Sequence, residues 1–485
     1  MLSLGEHRRI DNHEYIVWGT LLFAVAIGIP ILGPAVGAVV SAILIVVLFS
    51  YHLEIGWYIL VVLSTMIHWV VDFSKYPQLS HIIPGITGVQ GPIGDFFAIF
   101  LIAACAIYML REWLYGRTAG IRAPGWKWMI LFFASAFLSL YLNVSGIDFG
   151  ISVKYVFRFI VFAYLCFFVL GATLIRSSEI VRRSLLTYAY TGVAAACMGV
   201  ASFFVGASRS LYGFLRANPF AIDGWMPFGD QHIFFGEIFV VAGPILLYFW
   251  SQSRDPILKK RYGSLAIFVY TIALLTFSRT TWIVCILQGI ILWIWFKKSV
   301  LIIRLKRYFP IAVMGVWVVA SLFLLVNLGA YSVHSSTETR WQLTDMAIFL
   351  FFKHPIVGNG AGMFYPIVHE FGVYQFEIGD ITDAHGIIQK IAAEQGIIGL
   401  FTFGMWLWWL FSFLGKKCTP GAVQGSTLAI HRFALLIAFS ELMFQTLSTQ
   451  YYSSVLWVPL VLAWSMVAIS REHNSETSEV INFLN

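Results

Sequence analysis

The sequence predicts an all-helical integral membrane protein, a bundle of about 12–14 spans with a large extracytoplasmic loop that contains short helices. The chain is 59% hydrophobic and only 11% charged, whereas a soluble globular chain carries roughly 25% charged residues. Apolar runs close to the ~20 residues needed to cross a hydrocarbon core recur from end to end. Because irregular backbone cannot face lipid, these runs are predicted to be helices.

The apolar runs give fourteen candidate spans. They are residues 15–32, 35–51, 55–71, 95–111, 128–144, 154–175, 185–206, 233–250, 263–278, 280–296, 310–328, 396–414, 433–449 and 454–470. We therefore expect an N-terminal transmembrane bundle (1–328), an extracytoplasmic loop (329–395), C-terminal transmembrane helices (396–470) and a cytoplasmic tail (471–485).

The segment TETRWQLTDMAIFLFFKHP lies in the long loop and predicts an interfacial or re-entrant helix of about sixteen residues, ended by Pro355. It is too short and too polar at its start to span a membrane. Its expected apolar face consists of Trp341, Leu343, Ala347, Leu350 and Phe351.

The distribution of Lys and Arg predicts the orientation. Of the 31 basic residues, 22 fall in segments that lie inside when both chain ends are cytoplasmic, as the positive-inside bias requires. The other nine fall on the outer face or at the outer ends of spans, against that bias. They are Lys75, Lys154, Arg158, Arg209, Arg216, Arg279, Arg340, Lys353 and Lys390. An anionic ligand on the outer face would explain them.

Two arginines stand out by position. Arg279 lies between two apolar runs, in LLTFSRTTWIVC, with almost no loop around it. Because Lys and Arg cost ~2.5–3.5 kcal/mol at the centre of a span, we expect Arg279 at a hairpin apex or facing a polar cavity. An interfacial anchor is the alternative. Arg340 opens the loop helix, where a surface ion pair with Glu338 or Asp345 is the alternative to ligand binding.

Further basic residues share the predicted outer side. Arg209 and Arg216 lie seven residues apart in SRSLYGFLRANPFAIDG, a polar loop in which arginines are often only solvated. Lys154 and Arg158, spaced i,i+4 near the outer end of a span, share one helix face.

The segment DAHGIIQKIAAEQGIIG contains a candidate functional histidine, His385. Asp383 is predicted to be a helix N-cap, which places His385 in the first turn and Gln389 one turn later on the same face. Gly396 and Gly399 are expected to break this polar helix from the apolar run that follows. A lone histidine often has only a structural role, but this one shares the outer face with several arginines.

The sequence gives no sign of a metal or cofactor site. It has no His-x-x-x-His pattern and no Asp-x-Asp pair in an outer loop, so we expect neither a metal nor a cofactor. The net charge of +7 follows the membrane topology, and we expect no nucleic-acid partner. Glu441 lies near the centre of a span, where an unpaired carboxylate would not stay ionised. We expect it to pair with another helix through Gln445.

Three pieces of the chain together resemble the O-antigen ligase and O-antigen polymerase superfamily of bacterial membrane glycosyltransferases. They are LLTFSRTTW with Arg279, TRWQLTDMAIFLFFKHPIVGNGAG with Arg340, and DAHGIIQKIAAEQGIIG with His385. The resemblance is best from about residue 207 to residue 414. It implies an all-helical membrane bundle whose large periplasmic loop caps a cavity.

Members of that superfamily move a glycan from undecaprenyl diphosphate to an acceptor hydroxyl, without nucleotide sugar or metal. The resemblance implies a multi-pass protein of the bacterial cytoplasmic membrane with its active site facing the periplasm. The implied partners are the undecaprenyl-diphosphate-linked glycan donor, membrane lipid, and a glycan, lipid or protein acceptor. His385 would be catalytic, taking the proton from the acceptor hydroxyl. The substrate-binding residues would be Arg279 and Arg340 on the diphosphate, with Arg216, Arg209 and Arg158 as further candidates.

A ligase and a polymerase use the same undecaprenyl-diphosphate-linked donor, so both interpretations stay open. A ligase attaches the chain to a lipid A–core sugar, whereas a polymerase joins lipid-linked repeat units of O-antigen or exopolysaccharide. The family often has His-Asn where this chain has His385-Gly386, and fourteen spans exceed the dozen expected of a ligase. A transporter of lipid-linked sugar is the second alternative. It predicts charges along a midplane path and repeated halves, which the sequence does not show.

Overall fold

The computed structural model describes residues 34–72, 74, 90–117, 120–144, 147–207, 216–222, 225–229, 231–296, 331–370, 383–415, 425–448 and 454–484. It is 81% helical with almost no strand, which confirms the predicted all-helical membrane fold. The predicted spans 15–32 and 310–328 and the candidate Arg209 lie outside the described residues. The chain divides into two compact units.

The first unit comprises residues 1–60 and 70–120. Its described elements are α1 (Pro34–Tyr51), most of α2 (Leu53–Ser64), the antiparallel strands β1 (Val70–Asp72) and β2 (Gln90–Pro92), and α3 (Ile93–Leu114). The two helical stretches Ile43–Tyr51 and α2 meet at 115°. The predicted spans 35–51 and 55–71 are therefore corrected to one sharply bent pair, because the apolar run is interrupted at the polar residue His52.

The second unit comprises residues 61–69 and 121–485 and holds all the remaining described helices. They are α4 (Trp126–Asn143), α5 (Ile147–Tyr155), the π-helical segments Val156–Phe162 and Tyr164–Val169, α6 (Leu170–Leu174), α7 (Ser178–Phe204), α8 (His232–Gln252), α9 (Pro256–Leu275), α10 (Arg279–Phe296), α11 (Tyr331–Lys353), α12 (Phe364–Glu370), α13 (Ile387–Gly415), α14 (Gly425–Thr446) and α15 (Ser454–Leu484).

Among the described residues, seven helices are long and apolar enough to cross a membrane, or eight if the bent pair counts as one span. They lie at Ile93–Leu114, Asp148–Leu174, Ser178–Phe204, His232–Gln252, Ile387–Gly415, Thr427–Thr446 and Ser454–Glu472, and each overlaps a predicted span. The predicted spans 128–144, 263–278 and 280–296 coincide with the helices α4, α9 and α10.

The core of the second unit is aromatic. Tyr164 and Phe168 of the π-helical segment pack edge-on against Trp406 of α13 and Trp457 of α15, with ring centroids 5.2–6.4 Å apart. The two tryptophan rings are 5.3 Å apart, also edge-on. This arrangement suits rings with a negative face and a positive edge, and it fixes α13 against the centre of the bundle.

The loop between α11 and α13 packs on the start of α13. As the glycine pattern predicted, α13 bends at Gly396, whose φ is 62°. The bend frees backbone N–H groups, and those of Ile397 and Ile398 donate instead to the carbonyls of Pro355 and Ile356, at 2.9 and 3.3 Å. A polar helical stretch, Ile387 to Gln395, therefore precedes the apolar part of α13.

The loop helix differs from its prediction in length and face. α11 has 23 residues rather than about sixteen, and it begins at Tyr331. Leu343, Ala347 and Leu350 are buried as expected, but Trp341 is exposed. Met346 takes the remaining place on the buried stripe, because the positions i, i+3, i+4 and i+7 from Leu343 share one face of an α-helix.

Candidate active site

Arg279 is presented by a tight turn between α9 and α10. Phe277 has φ 52° and is the one non-glycine residue with a positive φ among the described residues. Such backbone is strained and persists only where the surroundings fix it. Here the Thr276 hydroxyl accepts the Ser278 N–H at 3.3 Å, and the Ser278 carbonyl accepts the Trp282 N–H at 3.0 Å. Arg279 therefore begins α10, as its hairpin-apex prediction required.

Arg216 reaches the same turn from another part of the chain. The neighbouring Ala217 donates its N–H to the carbonyl of Leu275, the last residue of α9, at 2.8 Å. The next residue, Asn218, is buried and donates its backbone N–H to the Ser202 hydroxyl near the end of α7, at 3.3 Å. The Ala217–Leu275 hydrogen bond therefore holds the residue after Arg216 against the end of α9, four residues before Arg279.

Arg340 is carried by α11, which packs on α13 through a buried apolar stripe. The Thr344 hydroxyl donates to the Arg340 carbonyl at 2.8 Å and accepts from the Gln389 amide of α13 at 3.2 Å. This bridge fixes the register of the two helices and holds the Arg340 turn next to the segment that carries His385.

His385 lies just before α13. The prediction that Asp383 is the N-cap of this helix is therefore wrong. α13 begins at Ile387, so His385 precedes its first turn. Asp383 does not cap the helix because its carboxylate binds the Lys390 ammonium group and the Ala384 N–H instead. His385 is half-buried, and its Nδ1 is buried with no hydrogen-bond partner among the described residues.

Gly386 stands where the superfamily that the sequence resembles often has asparagine. A Cβ at this position would lie 2.5 Å from the carbonyl oxygen of Thr446, at the end of α14. Backbone of α14 therefore occupies the space that an asparagine side chain would need after His385. The close approach also fixes the His385 turn against α14.

Arg279, Arg340 and His385 lie within electrostatic range of one another. The pKa of His385 is lowered to about 4, chiefly by burial and then by the charge of Arg340, with a smaller contribution from Arg279; Asp383 acts in the opposite direction. Burial, and next the charge of Arg279, lower the pKa of Arg340. The charges of Arg216, Arg340 and Arg279 also interact electrostatically with His232. Arg279 and Arg340 remain cationic, because guanidinium is not deprotonated in proteins.

Three helices begin at this cluster, and each begins beside one of its members. α8 begins at His232, α10 begins at Arg279, and α13 begins two residues after His385. Unpaired N–H groups and the helix dipole make a helix N-terminus favourable for anions. Three such ends add to the charge of three arginines, so the arrangement favours a multiply charged anion.

Lys390 supports the cluster from within α13. Its ammonium group binds the Asp383 carboxylate, lies 3.4 Å from the Glu394 carboxylate, and packs over the Tyr155 ring at 4.8 Å. Glu394 in turn accepts the N–H of Phe364 at 3.2 Å. Lys390 was predicted only as one of the outer basic residues, although its i,i+4 spacing to Glu394 was a usable signal for the ion pair.

Two predicted site residues remain, Arg158 and Arg209, and of these the structure describes only Arg158. Arg158 lies in the π-helical segment, where its guanidinium packs 4.9 Å over the Phe159 ring. Phe159 contacts Tyr155, whose ring lies under the Lys390 ammonium group, and the charges that act on His385 are those of Arg340, Asp383 and Arg279. His232 is a member of the cluster that the sequence did not single out. Its position at the start of an apolar helix, after the Arg216 loop, was the available signal.

The cluster and the predicted cytoplasmic residues mark opposite ends of the same helices. α10 runs from Arg279 to its far end, where Arg432 donates to the Trp295 carbonyl at 3.2 Å. α13 likewise runs from the His385 segment to Phe413, whose carbonyl accepts from Arg471 at 2.6 Å. Within the described part of the chain, no group of three or more His, Cys, Asp and Glu residues could hold a metal ion.

Residues 263–404 match the family model of the O-antigen ligase domain, Wzy_C. The match confirms the resemblance to the O-antigen ligase superfamily and covers Arg279, Arg340 and His385. It supports a ligase-like role in polysaccharide biosynthesis, in a family of glycosyltransferase-like enzymes. None of the curated proteins matches the chain significantly.

Proposed function

From the O-antigen ligase domain at residues 263–404, we propose that this protein is a metal-independent membrane glycosyltransferase of cell-surface polysaccharide biosynthesis. It moves a glycan from undecaprenyl diphosphate to an acceptor hydroxyl. The observation that carries the proposal is the convergence of Arg340 and Arg279 on His385. This arrangement provides cations for a leaving diphosphate beside a neutral imidazole for the acceptor.

The arginines are the proposed diphosphate-binding residues. Arg279, Arg340 and Arg216 all lie within electrostatic range of His232. A guanidinium group offers a planar fork of donors that matches phosphate oxygens and keeps its charge. As the bond between the anomeric carbon and the phosphate oxygen breaks, the leaving diphosphate keeps the electron pair, and the arginines stabilise the charge that develops.

His385 is the proposed general base. A pKa of about 4 leaves its imidazole neutral at neutral pH, so a ring nitrogen is available to take the proton as the acceptor oxygen attacks the anomeric carbon. The arginine charges that depress this pKa would be offset by a bound diphosphate. Donor binding would therefore raise the basicity of His385 when the base is needed.

We place the active site on the periplasmic side of the bacterial inner membrane. The support is the position of Arg432 and Arg471 at the helix ends opposite the cluster, since basic residues favour the cytoplasmic side. The lipid-linked donor would reach the site from the outer leaflet. The proposed partners are this donor, membrane lipid and a glycan, lipid or protein acceptor.

Complementation of a bacterial strain that lacks its ligase or its polymerase tests the proposal. We expect His385→Ala to reduce transfer by about 10²–10⁴-fold, as loss of a general base does. We expect Arg279→Lys to be impaired by about 10²-fold, because a point charge does not replace the bidentate fork. The matched controls are the exposed residues His369→Ala and Arg254→Lys, which should transfer normally.

The same assay separates the alternatives. Rescue of polysaccharide attachment in the ligase-deficient strain supports the ligase reading, whereas rescue of chain lengthening in the polymerase-deficient strain supports the polymerase. Full activity of His385→Ala at wild-type protein levels would refute the general-base role.

A further inference from the structure

A second polar cluster lies inside the bundle, within membrane-spanning helices. The Gln445 side-chain amide of α14 donates to the Glu441 carboxylate one turn earlier at 2.8 Å and to the Glu237 carboxylate of α8. This confirms that Glu441 pairs with another helix through Gln445. The partner, however, is a second acid, which the sequence did not predict.

The charge of this cluster is not balanced by the side chains around it. Glu237 is 2% exposed and Glu441 is 0% exposed, so neither carboxyl group reaches water. Glu441 acts on Glu237, and both carboxylates accept from the neutral Gln445; no cationic side chain among the described residues is an ion-pair partner of either acid. Two ionised carboxylates in such a site would cost far more than one amide returns.

Three buried oxygens point to a positive species that offsets part of this charge. The Tyr188 hydroxyl of α7 is fully buried, lies within electrostatic range of both acids, and has no hydrogen-bond partner among the described residues. Glu441 Oε2 and Gln445 Oε1 are likewise buried without a partner in the described part of the chain. All three atoms are oxygens that can accept, so one positive species would satisfy them together.

We propose that Glu237, Glu441, Gln445 and Tyr188 form a buried binding site for one monovalent cation, either a sodium ion or a proton. Hard cations take carboxylate and carbonyl oxygens, which are the atoms this site offers. Within membranes, ionisable residues commonly mark ion sites and proton relays. The site draws on three helices, so the cation would also cross-link them.

The cation site adjoins the candidate active site through backbone. Gln445 precedes Thr446, whose carbonyl contacts Gly386 beside His385. The carbonyl of the next residue, Leu447, accepts the Thr280 hydroxyl at 3.2 Å, directly after Arg279. A cation at Gln445 would therefore hold the end of α14 in the position on which both active-site turns rest. The inference itself does not depend on the proposed function.

Sodium binding is tested on the purified, full-length protein in detergent. Radioactive sodium should bind at one ion per chain, and sodium at about five times its Kd should raise the Tm by about 2 °C over choline at equal ionic strength. Glu441→Gln should abolish both effects, and Tyr188→Phe should weaken sodium affinity. The control Glu472→Gln removes a half-exposed carboxylate elsewhere in the chain, and it should retain both sodium binding and the rise in Tm.

A proton is tested on the same preparations by infrared spectroscopy. If sodium does not bind, the wild-type protein should show the carbonyl stretch of a protonated carboxyl group at neutral pH. This band should be lost in Glu237→Gln or Glu441→Gln and retained in Glu472→Gln. If the glutamine variants fail to fold, Tyr188→Phe decides the matter, because loss of the neighbouring hydroxyl should shift the band of these acids and of no other carboxyl group. The proposal is overturned if neither sodium nor the protonated band is found, or if sodium binding survives Glu441→Gln and no protonated band is present.

Discussion

Replacement of Lys390 by methionine should destabilise the protein strongly, because it breaks a buried ion pair beside the candidate base. Lys390 is 1% exposed and lies 3.4 Å from the carboxylate of Glu394, which is also 1% exposed. Methionine preserves most of the apolar stem that packs on the Tyr155 ring and removes the charge. The substitution therefore reports on the ion pair more than on packing.

The magnitude follows from the burial of the two partners. The side chain of Asp383 is 32% exposed, so water can replace much of what Lys390 gives it, and its share is at most about 1 kcal/mol. Glu394 has no such access, and removing one partner of a buried pair costs about 3–5 kcal/mol. We expect the free energy of unfolding to fall by about that amount.

A double-mutant cycle isolates the charge effect. Glu394→Gln in the Lys390→Met background removes the stranded charge, so the double variant should be more stable than Lys390→Met by about 2 kcal/mol. Stability is measured by reversible detergent denaturation followed by tryptophan fluorescence. Lys260→Met, at an exposed position in α9, is the matched control and should change stability by less than about 0.5 kcal/mol. A loss below about 1 kcal/mol in Lys390→Met, or a double variant as unstable as the sum of the singles, would refute the reasoning.

Three further predictions concern the His385 turn. Gly386→Ala should lower both stability and transfer, because its Cβ would meet the Thr446 carbonyl oxygen at 2.5 Å. The control Gly289→Ala, whose Cβ would have no atom within 4 Å, should be tolerated. Thermal melting measures stability, and complementation measures transfer. Transfer should be lost as pH falls, since protonation removes the base, and the free-enzyme midpoint should lie near 4 rather than 6.5. Arg340→Gln should move that midpoint of kcat/KM to higher pH because it removes a charge that opposes protonation, and an unmoved midpoint would contradict this.

The fold was largely predictable because its dominant signals are local. An apolar run of span length predicts a helix wherever it occurs, and Gly396 marks the bend in α13 because glycine adopts a positive φ without strain. Arg279 was predictable for the same reason, since its two flanking runs leave room only for a tight turn. The polar residues Ser50, His52 and Glu54 mark an interruption of the apolar run, but they do not predict the angle between the two helices, so the 115° bend was missed.

The membership of the clusters was less predictable because it depends on which helix faces meet. Hydrophobic periodicity shows which face of a helix is buried but not which other helix covers it. Glu237 and Gln445 are 208 residues apart, and nothing local pairs them. His232 joins the arginines for the same reason, through the packing of α8 and α10. Lys390 was assigned to the outer face by charge counting, which does not distinguish an exposed cation from a buried, paired one.

The two proposed sites are linked by electrostatics as well as by backbone. Glu237 follows His232 by five residues on α8, which is a rise of about 7.5 Å. A diphosphate at the arginines and a cation at the buried acids would attract each other by about 1.7 kcal/mol per unit charge, at about 10 Å and an effective dielectric constant of about 20. Such a coupling is reciprocal, so a cation that strengthens donor binding must itself bind more tightly when the donor is present. One monovalent cation offsets one of the two carboxylate charges, so it weakens the repulsion between the acidic pair and a phosphate ligand, which two bare carboxylates would oppose more strongly.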